Sequence, residues 1–293
     1  MRVGIATAAE LPDLDEDGPA LLGALERAGI AAEPVVWTVP RDDWGAFDAV
    51  VVRTTWDYAP RRAAYLEWAR TVAAATRLWN PPDVIAWNTD KRYLRDLVAA
   101  GVPVVPTSWV EPGAAFTPPA MGEYVVKPVV SAGARDTARY RAGRDDARAA
   151  RHVAEVVAGG RAVMVQPYVA SVDGEEAETA LVHIGGAYSH AIRKGPLLRL
   201  DEPGPDGLYA LEHIGPWTAA SDQRAVADAV LGALAARGWD DLLYARVDLL
   251  RDDAGAPFVL EVELTEPSLF LQHDPPAADR LASALSRALA TGA

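Results

Sequence analysis

The sequence predicts a mixed fold, in which an α/β amino-terminal domain on a parallel sheet is followed by α+β subdomains with antiparallel sheets. In the first third, apolar strands such as Val3–Thr7 and Ala49–Arg53 alternate with helices, which is typical of a parallel sheet. Beyond the breaker cluster Asn80–Pro82, strands follow one another closely, which favours antiparallel pairs. We therefore expect three units, namely a substrate-side domain (1–80), a central subdomain (81–170) and a carboxy-terminal subdomain with a metal site (171–293).

The amino-terminal elements follow from local spacing and from residues that begin or end helices. The predicted helix Pro19–Ala28 has proline in its first turn and Gly29 at its end. A short strand is expected at 35–38, and a helix at 61–75 carries apolar residues at three- and four-residue spacing. Such a parallel sheet presents ligand groups at the carboxyl ends of its strands.

The later elements are predicted from the same signals. We expect helices at 89–100, 145–158 and 221–237, strands at 124–128, 162–169, 177–184, 187–194, 242–250 and 257–264, and a last helix that closes the chain. Residues 195–209 contain three prolines and three glycines without a clear period. Because long irregular loops in compact proteins often close over active sites, we predict a mobile lid there.

Composition excludes several classes of function. Half of the 293 residues are hydrophobic, which is enough for a sizeable core, and the formal net charge is −13. Such a surface repels polyanions, so we expect neither a nucleic-acid nor a membrane partner. The chain has no cysteine, which rules out disulfides and thiolate nucleophiles. Without a secretory signal or a long apolar span, a cytoplasmic protein is expected, and its apolar composition is compatible with a homodimer.

The most informative stretch is a predicted β-hairpin near the carboxy terminus. If Ala254-Gly255 forms a two-residue corner, Asp248 faces Glu261 and Arg246 faces Glu263. Alternation then puts these four side chains on one face. The opposite face is predicted to carry Val247, Leu249, Leu260, Val262 and Leu264.

Three crowded carboxylates repel one another unless they share a cation. Hard carboxylate oxygens are the ligands that Mg²⁺ prefers, usually together with substrate phosphates. We therefore predict that Asp248, Glu261 and Glu263 bind Mg²⁺, and that Arg246 meets a transferred phosphoryl group or a developing oxyanion. The alternative is the solvated face of a half-buried sheet.

Several basic residues are candidate phosphate ligands. Lys127 ends an apolar strand beside a loop of small residues that contains Ser131 and Gly133, where backbone N–H groups can approach phosphate oxygens. Lys91 lies on a predicted helix, and Arg193-Lys194 ends a strand and opens the predicted lid. Each of these signals alone is also compatible with an ordinary turn, a solvated lysine or a surface pair.

Read together, the motifs resemble the ATP-grasp superfamily in their order along the chain. The matching segments are Asp90-Lys91, Val126-Lys127-Pro128, Val165–Val169, Gly174–Glu176, Arg246-Val-Asp248 and Leu260–Glu263. The resemblance implies two antiparallel subdomains that sandwich ATP. One departure is Glu263, because relatives commonly carry asparagine at this position.

The resemblance also implies roles for individual residues. Lys91 and Lys127 would contact the phosphates of ATP, with Ser131 and Gly133 beside them. The segment from Gln166 through Tyr168 to Val169 would hold the adenine, and Glu176 would accept hydrogen bonds from the ribose. Asp248, Glu261 and Glu263 would hold Mg²⁺. Catalysis would fall to Arg246, Lys127 and Arg193, and the pair Arg193-Lys194 is expected to close over the phosphates.

Two further motifs resemble the cyclo-ligases of D-cycloserine biosynthesis, which close O-ureido-D-serine into an isoxazolidinone ring. They are Arg53–Tyr58 and the stretch Glu261–Phe270. In the first, an acid and aromatic rings suit a small amino-acid-like zwitterion, which predicts substrate contacts from Arg53, Trp56, Asp57 and Tyr58. Glu266 and Ser268, in the second, are expected near the acyl phosphate, where they would bind the substrate amine or carboxylate.

Other readings of the same residues stay open at this point. An intermolecular amide ligase would share every ATP-binding residue and differ only in its substrate pocket. A small-metabolite kinase would yield a stable phosphorylated product and no acyl phosphate. A nucleotide-binding protein without turnover would not need the combination of Lys91, Lys127, Arg246, Asp248 and Glu261.

Overall fold

The computed structural model describes residues 1–200 and 213–291. Within these residues the strands form three sheets, two of four strands and one of five. The first sheet is parallel and the other two are antiparallel. The predicted combination of an α/β part with α+β parts is therefore confirmed, whereas the domain boundaries stay a prediction.

The amino-terminal sheet has four strands, the last of which is too short to be recognised from periodicity. Its elements are β1 (Arg2–Thr7), α1 (Gly18–Arg27), β2 (Ala31–Val36), β3 (Ala49–Thr54), α2 (Arg62–Ala75) and β4 (Arg77–Trp79). The strand order is β2-β1-β3-β4. Every residue of β3 is buried, because apolar clusters cover both faces of the sheet.

The central part contains the second sheet, of order β5-β8-β6-β7. Its elements are α3 (Pro82–Asn88), α4 (Tyr93–Ala99), β5 (Ser108–Val110), β6 (Glu123–Pro128), β7 (Ala138–Arg141), α5 (Asp146–Ala158) and β8 (Val163–Pro167). The helix predicted at 89–100 is confirmed in its later part, but α4 begins only at Tyr93. Proline is tolerated in a first helical turn, so a separate helix begins at Pro82. The backbone N–H of Lys91 then donates to Val129 O at 2.9 Å instead of continuing that helix.

The third sheet has the order β11-β10-β9-β12-β13. Its part of the chain contains β9 (Glu178–Ile184), β10 (Ala187–Lys194), β11 (Ile214–Trp217), α6 (Ser221–Ala235), β12 (Tyr244–Arg251), β13 (Pro257–Glu263) and α7 (Ala277–Ala290). Helix α7 packs against α1, and its Leu281 and Leu285 share a core with Val3 and Ile5 of the first sheet. The last helix therefore completes the core of the amino-terminal domain.

The β12–β13 hairpin has the predicted pairing of charged residues, although its turn differs from the predicted one. Arg246 pairs with Glu263 and Asp248 with Glu261, but the register shifts by one residue after Asp248. The turn is longer than predicted, since Asp252 N–H donates to Ala256 O, and a β-bulge offsets the extra length. Leu260, the extra residue of the bulge, borders the cavity described below instead of pointing to the opposite face.

Two remaining predictions concern membranes and the lid. In the described ranges 1–200 and 213–291, none of the helices combines the length and apolar character that a transmembrane span requires. The predicted lid, 195–209, lies partly outside the described residues, because these end at 200 and resume at 213. Its first residues, including Gly195 and Leu198, border the cavity.

Candidate active site

One large cavity lies where residues of the three sheets and their loops meet. Its volume is about 600 Å³, a size typical of sites for small ligands. Most of the residues predicted from the sequence line it: Trp56, Tyr58, Lys91, Lys127, Ser131, Gly133, Gln166, Tyr168, Val169, Lys194, Arg246, Asp248, Glu261, Glu263, Glu266 and Ser268. Residues from distant parts of the chain therefore converge on a single site.

The β12–β13 hairpin supplies a network of alternating charges. Arg246 donates two hydrogen bonds to Asp248, from Nε and from a terminal nitrogen, both at 2.9 Å. It also forms an ion pair with Glu263, the residue that faces it across the hairpin. Because Arg246 is only 5% exposed, this bidentate geometry compensates charges that would otherwise be costly to bury.

The carboxylates of the hairpin have different electrostatic environments. Burial opposes ionisation of Asp248, but Arg246 and Lys194 outweigh it and hold the pKa of Asp248 below its usual value. Burial likewise opposes ionisation of Glu261, and Lys91 and Lys127 lower its pKa. For Glu263, burial together with the charges of Asp248 and Glu261 exceeds the effect of Arg246, so its pKa is raised.

Two of the three buried lysines are already paired with acids. Lys91 Nζ lies 2.5 Å from Glu261 Oε1 and donates to Ser131 O at 3.0 Å. Lys194 Nζ contacts Asp248 at 2.8 Å and also forms an ion pair with Glu178. These two lysines therefore compensate different carboxylates of the network.

Lys127 differs from both. It is only 9% exposed, and across residues 1–200 and 213–291 its ammonium group has neither a hydrogen-bond acceptor nor an ion-pair partner. Burial and the neighbouring charges of Lys91 and Lys194 lower its pKa. A buried, unpaired cation at the wall of a cavity is an electrostatic site for an anion.

Four predicted site residues do not border the cavity. Arg193 is exposed and donates to Glu175 O at 2.6 Å. Glu176 accepts hydrogen bonds from Gln223 at 2.6 Å and Arg251 at 2.7 Å. These contacts do not favour the predicted direct roles in phosphate or ribose binding.

The other two, Arg53 and Asp57, are buried in the protein interior. Arg53 donates to Pro267 O at 2.8 Å. Asp57 accepts a hydrogen bond from Trp37 Nε1 at 2.6 Å and forms an ion pair with Arg61. Their side chains support neighbouring structure and do not reach the cavity, so direct substrate contacts are not favoured.

Sequence reasoning missed cavity residues that carry charge. Glu178, which pairs with Lys194 across β9 and β10, lines the cavity where Glu176 was expected. Strand alternation could have revealed this, because Glu178 begins the strand while Glu176 precedes it. Asp15 and Asp17, from the loop before α1, also border the cavity. That loop carries no periodicity that would have indicated them.

The hairpin carries carboxylate oxygens suitable for Mg²⁺, but these oxygens form ion pairs with basic side chains. Among the residues that the structure describes, no three Asp, Glu, His or Cys side chains converge closely enough to hold a metal. Lys91, Lys194 and Arg246 occupy the carboxylate oxygens instead. Since Asp248 faces Glu261 across the hairpin, the residues fit a shared cation after rotation of their side chains. The predicted metal role of Asp248, Glu261 and Glu263 stays a prediction.

Glu266 gives a testable pH dependence of stability. Burial, and then the charge of Glu263, raise the pKa of Glu266 from 4.5 to about 8. The pKa of Glu266 is higher in the folded than in the unfolded protein, so its protonated form makes its full contribution to stability below about pH 4.5. This contribution is lost as pH rises through about 8. We expect Glu266→Gln to gain stability over the wild type by a few kcal/mol, on the order of 1.4 per pKa unit, between pH 5 and 9.

Urea unfolding at several pH values measures this difference. The exposed Glu67 on α2 offers a matched control, and Glu67→Gln is expected to give a pH-independent difference. If the difference between Glu266→Gln and the wild type were also constant with pH, the raised pKa would be contradicted.

Comparisons with known proteins identify relatives of this chain. The family model described as "D-cycloserine synthetase DcsG, N-terminal domain" matches residues 3–80. The cycloserine biosynthesis protein DcsG of Streptomyces lavendulae is 42% identical over 299 residues, covering 97% of each chain. The crystal structure of D-cycloserine synthetase DcsG superimposes with a TM-score of 0.89 at 41% identity, over 99% of this chain and 100% of that one.

More distant solved structures share the fold alone. D-alanine-D-alanine ligase from Bacillus anthracis, complexed with ATP, has a TM-score of 0.68 at 14% identity, over 99% of this chain and 98% of that one. A RimK domain ATP-grasp protein from Sphaerobacter thermophilus has a TM-score of 0.65 at 17% identity, over 98% and 100%. The chain therefore belongs to the D-cycloserine synthetase family and has the fold of the ATP-grasp ligases.

Proposed function

We propose that this protein closes O-ureido-D-serine into D-cycloserine in a reaction that converts ATP to ADP and phosphate. The observation that carries the proposal is the buried ammonium of Lys127 at the wall of the cavity, for which residues 1–200 and 213–291 supply no ion-pair partner. Full-length similarity to a D-cycloserine synthetase supports the identity of the product. ATP-dependent ligation fits a cavity that combines basic residues with a carboxylate network.

The first step is phosphoryl transfer to the substrate carboxylate. A carboxylate oxygen attacks the γ-phosphorus of ATP, the bond to the β,γ-bridging oxygen breaks, and ADP and an acyl phosphate form. Lys127 neutralises charge on the phosphates, and Lys91 and Lys194, which also line the cavity, add to the positive field. Arg246, held by Asp248 and Glu263, stabilises charge that develops on the transferred group. Positioning supplies most of the rate enhancement.

Mg²⁺ would be held by Asp248, Glu261 and Glu263, and when bound it would neutralise charge on the ATP phosphates. These carboxylates are balanced by Lys91, Lys194 and Arg246. The same three cations line the cavity, where they would also be available to the phosphates of ATP.

The substrate end of the cavity combines aromatic and acidic groups. Tyr58 is 3% exposed, stacks on Tyr65 with ring centroids 5.1 Å apart, and borders the cavity. Trp56 Nε1 donates to Glu266 O at 2.8 Å, so the ring lies beside that segment. We assign Glu266 and Ser268 to the polar groups of the amino-acid substrate, and Trp56 and Tyr58 to the pocket wall.

Ring closure follows within one substrate molecule. The nitrogen bonded to the side-chain oxygen attacks the acyl carbon, the bond to phosphate breaks, and the nitrogen gives up its proton. Hydrolysis of the carbamoyl group consumes one water and releases carbon dioxide and ammonia. Exclusion of bulk water during the first step protects the acyl phosphate, and Gly195, Leu197 and Leu198 border the cavity where they could contribute to it.

Mass spectrometry of the purified protein with O-ureido-D-serine and MgATP tests this proposal. We expect cycloserine and ADP to appear together, and neither to appear when ATP is omitted. A stable phosphorylated product would instead identify a kinase. ADP formed only when a second amine is present would identify an intermolecular amide ligase.

We further propose that the enzyme acts in the cytoplasm on a free small molecule, without nucleic-acid or membrane partners, which its net charge of −13 supports. A homodimer stays a prediction, and light scattering of the purified protein measures it.

A further inference from the structure

The segment Thr265–Leu271 follows β13 and carries Glu266 and Ser268 to the cavity. Its backbone is held by side chains from other parts of the chain. The carbonyl groups accept hydrogen bonds from Tyr244 at Thr265 (3.0 Å), Trp56 at Glu266 (2.8 Å), Arg53 at Pro267 (2.8 Å) and Arg246 at Ser268 (3.0 Å), and Leu269 O contacts His190 Nε2 (2.8 Å). Such a segment is fixed from outside rather than by its own secondary structure.

Asp17 binds the same segment through its backbone N–H groups. One carboxylate oxygen accepts from Leu269 N–H at 2.9 Å, and the other accepts from Leu271 N–H at 2.6 Å. The residue between them, Phe270, has a φ of +52°, a left-handed conformation that is unfavourable for a side chain of its size. The two hydrogen bonds therefore flank the most strained residue of the segment.

Arg53 and Asp17 form a buried pair around the segment. Arg53 is 1% exposed and Asp17 is 2% exposed, and their nearest charged atoms are 3.6 Å apart. Arg53 contacts Pro267 O while Asp17 contacts Leu269 and Leu271. Although Asp17 borders the cavity, both of its carboxylate oxygens are engaged by backbone.

A stability role alone does not account for this pair. Buried ion pairs contribute little net stability compared with apolar side chains of similar volume. Here the pair comes from the amino-terminal domain, whereas the segment continues the β12–β13 hairpin. The hydrogen bonds of Arg53 and Asp17 thus fix the position of the segment that bears Glu266 and Ser268.

We propose that Arg53 and Asp17 are positioning residues that fix the backbone of Thr265–Leu271 and thereby aim Glu266 and Ser268 at the amino-acid substrate. This replaces the direct substrate contact that the sequence predicted for Arg53. The positioning itself rests on the hydrogen bonds, whereas its consequence for substrate rests on the proposed function.

Hydrogen–deuterium exchange of Asp17→Asn tests the positioning without any substrate. Asparagine keeps the size of the side chain but supplies only one oxygen for two N–H groups. We expect exchange in a peptide over residues 265–273 to accelerate by about tenfold or more. Exchange over α7 and β1 is expected to stay within about twofold of the wild type.

Arg77→Met is the matched control for Arg53→Met. Arg77 also lies in the amino-terminal sheet, but its guanidinium donates to Ala288 O and Leu289 O at the end of α7, at 2.9 and 3.1 Å. We expect Arg53→Met to accelerate exchange in 265–273 and Arg77→Met to leave it unchanged. Arg53→Lys, which retains the buried charge beside Asp17, substitutes for Arg53→Met if that variant does not fold. Acceleration spread evenly over the amino-terminal sheet, or none in 265–273, would overturn the inference.

Steady-state kinetics provide a second readout. With O-ureido-D-serine, we expect Asp17→Asn to raise KM for the amino acid about tenfold and to lower kcat, with KM for MgATP within about twofold. Equal changes in the two KM values would overturn the assignment to substrate positioning. If the wild type formed no cycloserine, the proposed function would fail, while the exchange experiment would still decide whether the pair fixes the segment.

Discussion

Glu261→Gln is expected to lower MgATP-dependent ADP formation by at least about a thousandfold. The carboxylate of Glu261 lies 2.5 Å from Lys91 Nζ, and the residue faces Asp248 across the hairpin. Glutamine keeps the shape of the side chain but removes the charge that Lys91 and a bound Mg²⁺ require. A coupled assay of ADP release, with O-ureido-D-serine present, measures the loss.

Glu176→Gln is the matched control, because it is the same substitution at a residue that does not line the cavity. Glu176 is engaged by Gln223 and Arg251 and does not line the cavity. We expect ADP formation in this variant within about threefold of the wild type. If Glu176→Gln were as inactive as Glu261→Gln, the ribose role predicted from the sequence would be favoured. Full activity of Glu261→Gln would exclude the proposed metal site.

The main features of the fold were predictable because they depend on local patterns. Alternating strands and helices identified the parallel amino-terminal sheet, and closely spaced strands identified the antiparallel ones. The strands that escaped prediction, such as β4 and β5, have three residues each, too few for a period to be recognised. Helix α3 was missed because its prolines were interpreted only as breakers, although proline is also compatible with a first helical turn.

The hairpin shows how a correct pairing can rest on an incorrect turn. Facing pairs at Arg246 and Asp248 depend on the register near the site, which strand alternation and charge complementarity indicate. The turn at 252–256 and the bulge at Leu260 have opposite effects on register, and neither has a distinctive sequence signal. The predicted orientation of Leu260 therefore failed while those of its charged neighbours held.

Contacts between residues that are distant in the sequence limit how much of the site can be predicted. The lysines and carboxylates could be named from their motifs, but their ion pairs depend on how the sheets pack. Asp17 lies 252 residues before Leu269, from whose N–H it accepts a hydrogen bond. No periodicity or spacing connects two such positions. The same reason explains why the predicted role of Arg53 is not favoured, since its hydrogen-bond acceptor, Pro267 O, lies 214 residues later.

The melting temperature is expected to change in opposite directions when Lys127 or Lys91 is replaced by methionine. Lys127→Met removes a buried cation that has no partner in the described part of the chain, so we expect the melting temperature of the ligand-free protein to rise by about 2–5 °C. Lys91→Met removes the partner of Glu261 and leaves that carboxylate undercompensated, so we expect a fall of similar size, about 2–5 °C. Both variants are expected to lose ADP formation by about a hundredfold or more.

The sign of the pH dependence separates this electrostatic explanation from simple packing. The pKa of Lys127 is lowered in the folded protein by burial and by its lysine neighbours. Its protonated form therefore destabilises the folded state, and the wild type regains stability as pH rises through the folded pKa. We expect the advantage of Lys127→Met in thermal unfolding to be largest near neutral pH and to shrink toward pH 10. A constant advantage would attribute the gain to hydrophobic packing of methionine, and a loss of stability would contradict the unpaired charge. In the wild type, MgATP is expected to raise the melting temperature, because its phosphates supply the missing partner, and Lys127→Met is expected to lose most of that shift.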